Sequence, residues 1–211
     1  RGSYVELFDI ERVEVAKGPQ STLYGRGALI GPVNVIQNKA VIGEWAASGR
    51  IGLGDYSYAI GDLVVNAPIG DPAAIRFAVR RKTRDGYIQN LLGGENYNSF
   101  DTQALRLSGA FRPAEGLRID VIANYQTDDS AGTAFKSLAF TPQDPATGAV
   151  LGTREPWTGA ALTPSALFDG GKQLGLDRDV WGVTGIVSWD LSDSLTLTST
   201  TPKQRPFETE A

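Results

Sequence analysis

From about residue 44 onward the chain repeats one pattern: short runs in which apolar and polar residues alternate, separated by clusters of Gly, Asp, Pro and Ser. A period of two sends successive side chains to opposite faces, so each run reads as a strand with one apolar and one polar face. In LRIDVIANYQ, Leu117, Ile119, Val121, Ala123 and Tyr125 share a face, and Arg118, Asp120, Ile122, Asn124 and Gln126 share the other. QALRLSGAFR sets Leu105, Leu107 and Phe111 against Arg106, Ser108 and Arg112. AIRFAVRRK sets Ile75, Phe77 and Val79 against Arg76, Ala78, Arg80 and Lys82. WAASGRIGLG, GDLVVNA, DVWGVTGIVSWDL and SLTLTST bring the count to seven. The expected class is all-β, an antiparallel up-and-down meander.

The connectors sort by length. APIGDPAA, RPAEG and LSDS are short turns, whereas the links at roughly 84–101 and 130–178 are long, and only the link near 55–58 is short on their side. Short turns at one end and long loops at the other are expected of an outer-membrane barrel. Trp181 and Trp189 add a geometric check, being eight residues apart on one face. At ~3.4 Å per residue that is about 27 Å, or about 20 Å along the membrane normal for a strand tilted ~40°, near the height of an apolar band between aromatic girdles. In a soluble sandwich the charged face of these strands would meet water. In a membrane barrel the apolar face meets lipid, so Arg50, Arg76, Arg80, Lys82, Arg106, Arg112 and Arg118, with Asp62 and Asp120, line the inside. Unpaired charges are too costly for a dry core, so such an interior holds water or a polar plug.

Composition removes several chemistries. The chain has no His and no Cys, which excludes Ser–His triads, disulfides and thiolate metal sites. A net charge of −4 gives no broad basic signature for nucleic acid. No apolar run approaches the ~18–20 residues of a membrane helix, a test that barrel strands escape because they alternate.

One stretch, IERVEVAKGPQSTLYGRGALIGPVNVIQNKA (residues 10–40), does not repeat the pattern. Ile10–Val15 reads as a strand, Lys17-Gly18-Pro19-Gln20 as a turn, and Val33–Ile36 as a second strand. The glycines Gly25, Gly27 and Gly31 superficially suggest a dinucleotide loop. Their spacing is GxGxxxG, and they lead into Pro32 and a β-branched strand instead of a helix, so a nucleotide site is not expected.

This stretch resembles the C-terminal part of the plug domain of TonB-dependent outer-membrane receptors. There an IERVEVLKG-type strand leads through GPQSTLYG and a glycine-rich turn to an INV-type strand, and then into the barrel. The similarity covers residues 9–40, and RDGYIQN after the third barrel strand resembles the family as well. Ile30-Gly31-Pro32 stands where the family usually has Gly-Gly, and Gln37-Asn38-Lys39 where it usually has Thr-Lys. The resemblance implies a plug remnant over 1–40 and the start of a β-barrel over 41–211, incomplete at about seven strands. By the same resemblance the TonB box and first plug segment should precede Arg1, so the chain is expected to be either a fragment of a longer receptor or a truncated gene product. The tail TPKQRPFETEA is expected to break the seventh strand at Pro202 and Pro206.

The implied function is active uptake of a scarce nutrient across the Gram-negative cell outer membrane: siderophore-bound iron or a similar chelate, cobalamin or carbohydrate. The implied partners are membrane lipid, TonB and the nutrient. No enzyme activity, cofactor, metal or nucleic acid is implied. Gly18, Pro19, Gly25, Gly27 and Gly31 are expected to form plug turns. Glu11, Arg12 and Glu14 are expected to pair with the basic wall at Arg76, Arg80 or Arg106. Trp157 and Phe168, in the link at 130–178, are candidate ligand contacts. The alternatives are a small structural outer-membrane barrel and a soluble β-domain that binds a partner on its charged face.

Overall fold

The computed structural model describes residues 6–20, 22, 31–90, 95–131, 146–147, 160–161 and 175–210. Among the described residues eleven strands succeed one another: β1 Ile10–Val15, β2 Val33–Gln37, β3 Ala46–Gly54, β4 Tyr58–Ile69, β5 Ala73–Arg84, β6 Gln89–Asn90, β7 Phe100–Ala114, β8 Leu117–Ser130, β9 Ala160–Ala161, β10 Leu176–Ser192 and β11 Leu195–Glu210. β1 and β2 form an antiparallel pair of their own, and β6 and β9 a short parallel one. The rest is a seven-stranded sheet in the order β11-β10-β8-β7-β5-β4-β3, every neighbouring pair antiparallel.

Turn chemistry sets the hairpins. Between β3 and β4, Tyr56 and Ser57 both take positive φ (58° and 54°), the backbone of a type I′ turn. At the other end Gly70 (φ 64°) and Gly116 (φ 73°) turn the chain between β4 and β5 and between β7 and β8. The long links leave β5 and β8 at the same end as the Tyr56–Ser57 turn, so the expected sorting of connectors is present in the sheet order.

Burial is inverted relative to a water-soluble sheet. Ile51 is 84% and Leu53 81% exposed, whereas Arg106 is 2% and Asp120 1% exposed. Leu63, Phe77, Leu107, Phe111, Val121, Val187 and Trp189 continue the exposed apolar face across the sheet. An exposed apolar face backed by a covered, charged one is the pattern of a transmembrane barrel wall. The covered face is the one that carries charge.

The tail departs from expectation. β11 runs through both prolines, with Pro202 opposite Thr184 and Pro206 opposite Val180. Four residues apart, the two ring nitrogens lie on the same side of the strand. β11 is the outermost strand of this sheet, where a missing N–H costs no ladder bond if it points outward.

Candidate functional site

The charged face of the sheet is covered by the segment Glu6–Asp9 and by the residues after β2. Small side chains make this approach possible. Phe8 packs on Ala78 and Ala104, with Val64 beside them, and Ala40 packs on Ala74 and Ala110, with Ile42 beside them. Alanine at these inward positions of β5 and β7 leaves slots between the arginines, and the docked segment fills them. Burying the Phe8 ring is worth roughly 2–3 kcal/mol by area alone.

The arginines between the slots grip the segment. Arg76 holds the Asp9 carboxylate at two points, Nε to Oδ2 at 2.9 Å and Nη2 to Oδ1 at 2.5 Å. Arg106 donates from Nη1 to the carbonyls of both Phe8 and Asp9, each at 2.7 Å, and from Nε to Asn124. Arg80 clamps Asp62 with Nε and Nη2 and turns Nη1 to the Leu7 carbonyl at 2.8 Å and to Glu6 at 3.2 Å. Lys82 donates to both Glu6 oxygens, at 3.1 and 3.0 Å. Phe8 lies between two guanidiniums, with Arg106 4.7 Å and Arg80 5.6 Å from its ring centre. A desolvated cation over an aromatic face contributes about 2 kcal/mol.

Asp9 is the centre of this arrangement. Its backbone has φ 46°, a left-handed conformation that Asp tolerates better than most residues. The strain is held in place from several directions: Asn38 donates from its backbone to the Asp9 carbonyl and from its side chain to Oδ1. Burial works to raise the Asp9 carboxyl pKa, but hydrogen bonds from Arg76 and Asn38 and the charges of Arg76 and Arg106 outweigh it, leaving the group below its usual 3.8. Asp9 is therefore ionised at neutral pH.

The grip is densest on β5 and β7. Beyond Asp9 the contacts pass to Arg118, which donates to the Ala40 carbonyl and to Asp120, and to Asn66, which bonds Val41 and Glu44. Between β2 and the β8–β10–β11 part of the sheet lies a cavity of about 500 Å³, lined in part by Asn34, Gln37, Lys39, Asn124 and Thr184 and bridged by a hydrogen bond from Asn124 to Gln37.

Comparison with known proteins names this arrangement. Residues 1–31 match the TonB-dependent Receptor Plug Domain. Over 81 residues the chain is 38% identical to the catecholate siderophore receptor Fiu of Escherichia coli K12, an alignment covering 38% of this chain and 10% of Fiu. The crystal structure of Fiu superposes on 95% of this chain and 29% of its own, with a TM-score of 0.70 and 21% identity. The ferric yersiniabactin uptake receptor FyuA of Yersinia pestis superposes on 97% of this chain and 29% of its own, with a TM-score of 0.74 and 17% identity. The chain is similar in sequence to the plug domain of TonB-dependent receptors at its start, and in fold to solved receptors of this kind over most of its length. It spans about a tenth of the length of the curated relatives it matches. Its seven-stranded sheet has the fold of part of such a receptor's barrel, and β1 lies within the residues that match the plug domain.

The receptor's expected site residues divide into three groups. Arg76, Arg80 and Arg106 meet the enclosed segment, at Glu6 through Asp9. Glu11, Arg12 and Glu14 do not supply the matching half. Arg12 pairs with Glu11 and with Glu14, and Glu14 also accepts from Asn34, all on the exposed surface of the β1–β2 pair. The β1–β2 register shifts between Ile10 and Arg12, so the alternation of β1 is irregular there. Gly18 has φ 84° and open space around it, while Gly31 has φ 117° and no room, since a Cβ there would lie 2.0 Å from the Ala16 carbonyl oxygen. Pro19 lies in the irregular stretch after β1, and Gly25, Gly27, Trp157 and Phe168 lie outside the described residues.

Glu6, Phe8, Asp9 and Lys82 were missing from the expected site. One signal was present. The inward positions of β5 read Ala74, Arg76, Ala78, Arg80, an alternation of small and cationic side chains that fits a docked anionic segment better than open water.

Proposed function

We propose that this chain forms part of an outer-membrane receptor that takes up a ferric siderophore or similar scarce chelate, with TonB as its energy-coupling partner. Residues 1–40 are the C-terminal part of the plug, and residues 41–211 begin the barrel wall. The observation that carries the reading is the ionic seat of Glu6–Asp9 on Arg76, Arg80, Lys82 and Arg106. A buried multipoint ion-pair seat holds a closed state firmly, yet loses most of its hold once a carboxylate withdraws. That suits a plug pulled by an external energy source. Siderophores are favoured over cobalamin and carbohydrate because Fiu and FyuA are described as receptors for catecholate siderophores and ferric yersiniabactin. Trp157 and Phe168 are the proposed ligand contacts from the long link.

The test is uptake of radiolabelled iron by cells that have the full receptor carrying this sequence as their sole siderophore receptor. Ferric catecholates should enter only when TonB is present. Equal uptake without TonB, or no uptake of any ferric siderophore, would overturn the reading.

A further inference from the structure

Glu6 stands where two networks meet, and each network runs to the root of one long link. The first starts at its side chain. Lys82 and Arg80 hold the carboxylate, and Lys82 lies 5.2 Å over the Phe100 ring. Phe100 also carries Arg84 at 4.6 Å. Arg84 stacks on Tyr87 at 5.0 Å and donates to the Asn98 carbonyl, so this network ends in the link between β5 and β7. The second starts at the Glu6 backbone. Its N–H donates to Gln126 Oε1 at 2.7 Å, and Gln126 Nε2 donates to Asp128 Oδ2 at 2.7 Å. Arg178 closes on the same oxygen with Nε at 2.9 Å and with Nη2. Asp128 and Arg178 flank the link between β8 and β10, and Gln126, Asp128 and Arg178 are all buried.

We propose that Glu6 is a positioning residue that couples the roots of both long links to the seat of the plug segment. Buried polar networks are sensitive to the loss of one member, because each remaining group then sits in low dielectric without its partner. A rearrangement of either link that shifts Phe100 or Asp128 changes what holds Glu6, two and three residues from Phe8 and Asp9. Coupling of this kind is reciprocal, so loosening Glu6 also loosens the two roots. The inference rests on the plug-and-wall reading of the chain, but its test needs neither cargo nor TonB.

The experiment is site-resolved hydrogen exchange on the full receptor in detergent, comparing wild type with Gln126→Ala, Asp128→Asn and Glu6→Ala. Gln126→Ala removes the acceptor of the Glu6 amide and sets the scale. Asp128→Asn should speed exchange at the Glu6 amide roughly fivefold, the order of one net hydrogen bond, with amides in the middle of β4 and β5 unchanged. Glu6→Ala should in turn speed exchange where Ser130 pairs with Leu176. A purely local structural role for Asp128 would leave the Glu6 amide at its wild-type rate. That result overturns the proposal, as does an unchanged β8–β10 root in Glu6→Ala. Failure of iron uptake with both exchange responses intact would count against the transport reading and leave this one standing.

Discussion

Two adjacent pieces of the plug treat their charges in opposite ways. In Glu6–Asp9 the carboxylates are buried and gripped by cations from the barrel wall, and Asp9 retains only 2% side-chain exposure. In β1, beginning one residue later, Glu11, Arg12 and Glu14 remain about half exposed and pair with one another. Both pieces carry two carboxylates. The backbone differs: Asp9 turns with positive φ, and the β1–β2 register shifts just after it, between Ile10 and Arg12. A charge count along this sequence is therefore a poor guide to what holds the plug.

The contrast is most easily broken at Asp9. Asp9→Ala strips the carboxylate from Arg76 and leaves that guanidinium largely buried without its partner, while Arg106 keeps its bonds to the Phe8 and Asp9 carbonyls; plug docking should weaken by about 3–5 kcal/mol. The check is protease sensitivity of residues 6–40 in the assembled receptor. Phe8→Ala should come next at about 3 kcal/mol, since it empties the slot over Ala78 and Ala104 and removes the surface on which Arg80 and Arg106 stack. Gly31→Ala acts elsewhere, forcing a Cβ into the Ala16 carbonyl at a φ that disfavours it. It should cost about 1–3 kcal/mol, read as lost exchange protection across the β1–β2 pair and not at the wall.

Acid should separate the two regions as well. The folded pKa of Asp9 is depressed, so its contribution is full above the unfolded value of 3.8 and is lost as pH falls below that through the folded value. Exchange protection at Phe8 and Asp9 should fall in that window, and Asp9→Asn should flatten the profile. The smallest effect belongs to β1. Arg12→Ala, alone or with Glu14→Ala, should leave docking on β5 and β7 unchanged, because the bonds these side chains make stay within the β1–β2 pair.

Much of the barrel arc was legible from the sequence. The alternation of Leu117–Gln126 gave both faces of β8, and buried Asp120, Ile122 and Gln126 and exposed Val121 and Tyr125 fall where it put them. The tail was harder, because a rule about proline in strands depends on whether the strand is outermost, and nothing local to TPKQRPFETEA says so. The seat of the plug was harder still. Period-two reading assumes a regular strand, and Glu6–Asp9 is not one, while the bulge at the start of β1 comes from register with β2. Arg76 and Arg106 were identifiable as inward cations. Their partner was not, because Asp9 reaches them through a left-handed turn that a strand pattern does not encode.

The central claim is that Asp9 and the wall arginines act as one unit. A double-mutant cycle on Asp9→Ala and Arg76→Ala, read by denaturant-dependent release of the plug from the intact barrel, tests it most directly. The account predicts a coupling on the order of 2 kcal/mol, with the double variant much less destabilised than the sum of the singles. Additivity within about 0.5 kcal/mol would contradict it.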